Sequence, residues 1–212
     1  MIIAEIGQNF LGLMDLATDL IRLAKDNGAD LAKFQLYDHK KLYGDKDIPN
    51  VELSFEQAKG LFEYGKQVGI EVFFSVFDVE RVKWCEEIGV KRYKIASLLD
   101  DDTVINAVKA TGRDIIESTA SGRRFPYPHK ALYCPSGYPQ TNIDLRNLRW
   151  ADGFSDHTLN LTASKVAISR GAQIIEKHFA IDHETGIDAK WSMTPDELRE
   201  LKRWADVCKQ VL

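Results

Sequence analysis

Short apolar runs alternate along this chain with longer stretches in which apolar residues recur every three or four positions. The short runs predict strands at Ile2–Gly7, Leu31–Tyr37, Glu71–Val76, Arg92–Ser97, Asp114–Thr119, Lys130–Cys134, Gly153–His157 and Gln173–Phe179. The periodic stretches predict helices over Asp15–Asn27, Phe55–Val68, Val79–Ile88, Thr103–Thr111, Leu161–Arg170 and Pro195–Leu212. Gly28, Gly69, Gly89, Gly112 and Gly171 follow five of these helices, where a left-handed residue ends a helix. Ser54 with Gln57 three residues on forms a capping-box pattern, and Thr194-Pro195 supplies an N-cap and a first helical residue.

Eight strand–helix repeats in 212 residues predict a single α/β domain over residues 1–212, a (β/α)8 TIM barrel. An open doubly wound sheet is the rival arrangement. Pro126 and Pro128 break the stretch between the fifth and sixth strands, so no regular helix is expected there. The segment 142–149 leaves room only for a short helix after the sixth strand. A barrel lacking one helix should expose apolar surface, which predicts a homodimer that buries this region through Phe125 and Tyr127.

The strand ends carry polar residues where a barrel interior should be apolar. The first strand offers Glu5 and then Asn9, the second Lys33 and Gln35. The fourth carries Lys94 and Ser97, of opposite parity, which share one site only if the chain turns between them. The fifth ends Glu117-Ser118-Thr119, the seventh has Ser155 and His157 on one face, and the eighth Glu176 and His178. A single such pair is ordinary as a buried salt bridge; the repetition at one end of the barrel points to a polar site. The lysines with Ser97, Ser118 and Ser155 suit a phosphate or carboxylate. His157 and His178 leave adjacent parallel strands, which lie roughly 5 Å apart, so they can share one ion. Two imidazoles fall short of the four ligands of a closed zinc site, and suit an open catalytic site for a divalent ion such as manganese, magnesium or cobalt.

Composition narrows the partners. With 44% apolar residues, 28% charged residues and a net charge of −4, the chain has the make-up of a globular protein, and no basic stripe suggests nucleic acid. No apolar run reaches the ~20 residues of a membrane span, and Met1 leads directly into a strand, so neither membrane association nor a signal peptide is expected. Cys85, Cys134 and Cys208 have no paired spacing, which fits a cytoplasmic location and small packing residues rather than nucleophiles.

Several segments carry a resemblance, in order, along nearly the whole chain. They are Ala4-Glu5-Ile6-Gly7-Gln8-Asn9, Gly28-Ala29-Asp30-Leu31-Ala32-Lys33-Phe34-Gln35, Lys94-Ile95-Ala96-Ser97, Ser118-Thr119, Tyr138-Pro139, Gly153-Phe154-Ser155-Asp156-His157-Thr158, and Gly171-Ala172 with Glu176-Lys177-His178-Phe179. On these motifs the chain resembles the sialic acid synthase family, the phosphoenolpyruvate-dependent synthases of nonulosonic acids. The resemblance implies that C3 of phosphoenolpyruvate attacks the aldehyde of an open-chain N-acylated aminosugar, and that water adds at C2 as phosphate leaves. It implies that His157 and His178 hold the metal. It implies that Lys33, Lys94, Ser97, Ser118, Ser136 and Ser155 surround phosphoenolpyruvate. Asn9, Gln35, Tyr138 and Asp188 would face the sugar, with Glu5, Glu176 and Asp188 as catalytic carboxylates.

The chain departs from the family pattern in four ways. Asn9-Phe10 stands where the family has Asn-His, Ser118-Thr119-Ala120 where it has Ser-Thr-Gly, and Ser136 where it has an Asn. The family's C-terminal antifreeze-like domain, which supplies an arginine to the partner's site, does not follow the barrel in this sequence. Arg123 or Arg124 would be the substitute for that arginine, against the plainer reading of a solvated basic turn. Two rivals stand beside a sialic acid synthase: an aldolase-type barrel with a changed acceptor, and a degenerate barrel that binds a sugar or phosphate without turnover.

Overall fold

Side chains alternate between the two faces of a strand, and in this chain the alternation sorts residues into an apolar wall outside and a layered interior. The computed structural model describes residues 1–122, 125 and 128–211. Eight parallel strands close into a barrel in chain order. They are β1 (Ile2–Gly7), β2 (Leu31–Leu36), β3 (Glu71–Val76), β4 (Arg92–Ile95), β5 (Asp114–Thr119), β6 (Lys130–Tyr133), β7 (Gly153–Asp156) and β8 (Ile174–His178). The ring closes where Ile2–Glu5 of β1 pair with Ile175–His178 of β8. The architecture is a (β/α)8 barrel, as the repeat pattern predicts.

The helices are α1 (Met14–Asp26), α2 (His39–Tyr43), α3 (Phe55–Val68), α4 (Val79–Ile88), α5 (Asp102–Ala110), α6 (Thr162–Ser169) and α7 (Pro195–Val211), with short 3-10 turns at Leu145–Trp150 and Ala189–Trp191. The expected caps form. Ser54 Oγ accepts from Gln57 N at 3.2 Å, and Gln57 Oε1 accepts from Ser54 N at 2.9 Å, closing the capping box at the start of α3. Gly69 and Gly89 end α3 and α4 in the left-handed conformation. The short α2 was not anticipated; too brief to show a period, it is started by Asp38, whose side chain accepts from Lys41 N.

Inside the barrel, Ile3, Leu31, Phe73, Ile116, Leu132 and Ile174 form a separate apolar cluster. Two residues further along the same strands stand Glu5, Lys33, Ser75, Ser118, Cys134 and Glu176. The apolar cluster is thus a floor beneath a polar layer. The outward residues, among them Ile2, Ala4, Ile6, Phe34, Phe74 and Phe154, pack against the helices in the main core, each large one worth roughly 1.5–3 kcal/mol on burial. Gly153 is needed for closure: a Cβ there would lie 2.0 Å from the Ile174 carbonyl oxygen, so a larger residue would push β7 off β8.

No helix lies between β5 and β6 among the described residues, as expected. The exposed apolar face inferred from that gap is not found. Ile115, Ala131 and Tyr133 are buried, and Phe125 is only 3% exposed. Lys109 of α5 sits 4.4 Å from the Phe125 ring centroid, and Trp150 packs edge-on to Tyr133 at 5.8 Å. The connection covers itself with Phe125 and the Leu145–Trp150 turn. Phe125 is therefore a core residue rather than a dimer contact, and the argument for a homodimer at this face falls. Tyr127, the other contact expected there, lies outside the described residues. No helix among the described residues is long and apolar enough to cross a membrane.

Candidate active site

The polar layer above the floor is where the strands bring charge together. Register places Glu5 opposite Lys33 on one side and opposite His178 on the other, and Ser155 opposite Glu176. Lys33 forms an ion pair with Glu5, and its Nζ lies 3.6 Å from Glu176 Oε2. Lys94 Nζ lies 3.6 Å from Glu176 Oε1 and donates to Ser118 Oγ at 2.7 Å. Ser155 Oγ donates to the same Glu176 oxygen at 3.0 Å, and Gln35 Nε2 donates to Glu5 Oε1 at 2.9 Å. All four charged residues are buried. Two ammonium groups and two carboxylates are thus held in one unit, and removing one member strands the others.

The protonation states follow from this packing. Burial works against the Glu176 carboxylate, but Lys33 and Lys94 outweigh it and hold its pKa down to about 2. Burial also opposes the Lys33 ammonium, and the Glu176 and Glu5 charges overcome it, so its pKa is raised. For Lys94 burial wins over the pull of Glu176, and its pKa is lowered.

A small cavity of about 60 Å³ opens above this layer. Glu5, Lys33, Gln35, Lys94, Ser118, Ser155, His157, Glu176 and His178 line it, as does Ser97, which enters because the chain turns after Ile95. The parity conflict between Lys94 and Ser97 is resolved by that turn. A wider cavity of about 510 Å³ continues outward, sharing Gln35, Ser97, Tyr138 and His178 and adding Asp188.

The two imidazoles have ring centroids 5.2 Å apart, the convergence expected from adjacent strand ends. Burial, followed by the neighbouring His178, pushes the His157 pKa well below its ordinary value, so the ring is neutral, as a metal ligand must be. Asp188 Oδ2 is 3.4 Å from His178 Nδ1, within ion-pair reach but without hydrogen-bond alignment. Gln140 brackets His157: its Oε1 accepts from His157 N at 3.2 Å, its N donates to His157 O at 3.0 Å, and its Nε2 lies 3.2 Å from His157 Nδ1. The amide also donates to the Pro135 carbonyl, which fixes which end faces the ring. Nδ1 then accepts, and the ring proton is assigned to Nε2. Among the described residues no three His, Cys, Asp or Glu side chains converge as a metal cluster. The two imidazoles fit an open site whose other positions would go to water and substrate, provided His157 moves its proton to Nδ1.

Two expected residues fall elsewhere. Asn9 is fully buried and its amide is spent on structure: Nδ2 donates to Phe179 O at 3.0 Å and to Ser192 Oγ at 2.9 Å, and Oδ1 accepts from Asp188 N at 2.8 Å. It braces the loop that carries Asp188 and lines neither cavity, because it lies beyond the β1 end and turns toward that loop. Ser136 is exposed and lines neither cavity. Phe10, the departure beside Asn9, is buried edge-on to Phe34 at 5.8 Å, so an aromatic core contact stands there. Arg123 and Arg124 lie outside the described residues. The sequence reading missed Ser75, Cys134 and Gln140. Cys134 lines the inner cavity with its thiol pKa pushed up by burial, and its place at the end of a predicted strand was the signal. Gln140 had none, since it lies in a loop.

The profile of the NeuB family matches residues 20–123 and 131–212. This chain is a member of the NeuB family. It is 30% identical to human N-acetylneuraminate-9-phosphate synthase, over all of this chain and 70% of that protein. The alignment spans 260 positions against 212 residues here, so the human protein carries insertions this barrel lacks. It is 29% identical to the N,N'-diacetyllegionaminic acid synthase of Campylobacter jejuni, over 95% of this chain and 74% of that one. The crystal structure of the N-acetylneuraminic acid synthetase of Leptospira borgpetersenii superposes with a TM-score of 0.92 at 28% identity, over 99% of this chain and 84% of that one. A truncated 3-deoxy-D-arabino-heptulosonate 7-phosphate synthase from Thermotoga maritima, at 13% identity and a TM-score of 0.74, shares the fold. The NeuB member thus sits among sialic, legionaminic and pseudaminic acid synthases.

Proposed function

We propose that this NeuB protein condenses phosphoenolpyruvate with the open-chain aldehyde of an N-acylated aminosugar, giving a nonulosonic acid and phosphate. The observation that carries the reading is the buried Lys33–Glu176–Lys94 unit beside two converging imidazoles. Lys33 and Lys94 with Ser97, Ser118 and Ser155 would hold the phosphate and carboxylate. The π electrons between C2 and C3 form the new bond to the aldehyde carbon, whose oxygen takes up a proton. Water adds at C2 and loses a proton, and the bond to phosphate breaks. Glu176 stays ionised far below neutral pH, so it stabilises positive charge at C2 or accepts a proton, and does not donate one. Glu5 and Asp188 stand on either side of His178 to orient water and sugar. A divalent ion held by His157 and His178 would polarise the aldehyde as a Lewis acid.

The test is phosphate release from phosphoenolpyruvate, with manganese, across a panel of aminosugars. His157→Ala or His178→Ala should abolish metal-dependent release and lower manganese affinity by about 100-fold, with circular dichroism unchanged. Release without added sugar, or full activity in both variants, would refute the reading.

A further inference from the structure

The barrel holds another buried ion pair, on the outer side of the strands that lead to the histidines. Register sets Asp156 of β7 opposite Lys177 of β8. Ser155 and Glu176 point into the barrel, so by alternation Asp156 and Lys177 point outward, toward α6. Their side chains are 0% and 1% exposed, Lys177 Nζ lies 3.6 Å from Asp156 Oδ1, and neither residue lines the inner or the outer cavity. Asp156 Oδ2 accepts from Ser164 Oγ of α6, and Oδ1 accepts from Thr158 N at 2.8 Å. Lys177 Nζ donates to Thr158 O at 2.6 Å. An apolar pair of similar volume is often as stable as a buried ion pair, because it avoids desolvating two charges. Stability alone therefore gives no reason for charges at this place.

What the pair does is join the two histidines. Asp156 and Lys177 form the last paired position between β7 and β8. His157 lies one residue beyond it, and its own N–H and C=O both bond to Gln140. His178 pairs with Glu5 of β1, and its carbonyl accepts from Met193 N at 2.7 Å. Each imidazole is thus anchored by a different part of the chain. The link between them runs through side chains. Lys177, next to His178, grips the carbonyl of Thr158, next to His157, while Asp156 grips the Thr158 amide. We propose that Asp156 and Lys177 are positioning residues: they set the separation of the two imidazoles, 5.2 Å between ring centroids, and through it the affinity for a divalent ion. They touch neither the ion nor the substrate. This rests on the reading that His157 and His178 hold that ion.

The test is calorimetry on the full metal-free chain with manganese alone and, separately, with phosphoenolpyruvate alone. The double variant Asp156→Asn with Lys177→Met removes both charges together, so no buried charge is left unpaired, and its melting temperature should stay within about 5 °C of the parent. Manganese should bind at least about tenfold more weakly, with phosphoenolpyruvate affinity unchanged. Leu201→Ala, a core truncation on α7, is the control: it should lower the melting temperature by about 10 °C and leave manganese affinity alone. Should the double variant fail to fold, Ser164→Ala decides instead. It removes one bond to Asp156, keeps both charges, and should weaken manganese about threefold without touching phosphoenolpyruvate. Parent-like manganese affinity in the deciding variant, parallel losses of manganese and phosphoenolpyruvate, or an equal manganese loss in Leu201→Ala would overturn the inference. The two readings fail separately. If His157→Ala loses manganese and the double variant does not, the metal reading stands and the positioning role falls. If the parent binds no manganese, both fall.

Discussion

The inner and outer cavities share six lining residues, yet they are built by different rules. The inner one is made mainly by strand residues at fixed register, each charge matched by a buried partner. The outer one is made by segments that follow the strands, with one carboxylate in an apolar wall. Strand positions are held by ladders of backbone hydrogen bonds, so the inner chamber is rigid and intolerant of change. Loop positions vary without disturbing the ladder, so the outer chamber is where one NeuB protein can differ from another. On the proposed condensation, the common chemistry would belong to the first and acceptor choice to the second.

The sharpest way to break this contrast is to make one truncation in each chamber. Lys33→Met leaves the Glu5 and Glu176 carboxylates buried with one cation fewer, and should cost about 3–5 kcal/mol in urea unfolding and more than tenfold in phosphoenolpyruvate affinity. Leu98→Ala, at a side chain 79% exposed, should stay within about 0.5 kcal/mol. Similar losses from both would show that the chambers are not built differently.

A second measurement isolates the inner unit by pH. Glu176 has its folded pKa depressed to about 2 from an ordinary 4.5. Its contribution is therefore present above about pH 4.5 and is lost as pH falls toward 2. The loss is on the order of 3 kcal/mol. Urea midpoints followed from pH 6 to 2 should fall across that window, and the fall should be smaller in Glu176→Gln. An equal slope in the variant would place the acid sensitivity elsewhere.

The smallest expected effect lies at Gln140, which lines neither chamber but grips His157 of the inner one. Gln140 donates to His157 Nδ1 and so keeps the ring proton on Nε2. Gln140→Glu would accept from Nδ1–H instead, and should tighten manganese by about tenfold. Nitrogen-15 imidazole shifts should report the change of tautomer directly. Unchanged shifts would show that Gln140 holds the His157 backbone and not its ring.

Much of the inner chamber was legible because strand alternation is a rule of period two. Once Ile3, Leu31 and Ile174 were on inward positions, Glu5, Lys33 and Glu176 had to be inward as well. The ends were less certain: Lys94 and Ser97 have opposite parity, and only the turn after Ile95 reconciles them. Asn9 was misplaced for a related reason. Past the strand the rule of alternation no longer applies, and its amide found three partners in the loop near Asp188. Phe125 was misjudged because a missing helix says nothing about what the connecting chain does with its own aromatic residues.

By itself, then, the sequence determined the barrel, the order of its strands, the caps of its helices and the convergence of two histidines with a lysine–carboxylate layer. These follow from local periodicity and from the spacing of one strand–helix–strand unit, which involve only near neighbours in the chain. Tertiary structure alone decided which partner each buried charge takes, that Gln140 grips His157, that Phe125 closes the gap between β5 and β6, and that the mouth is apolar. Those depend on loops meeting across the barrel mouth, where contacts join residues as far apart as Asn9 and Asp188 and no periodic pattern records them.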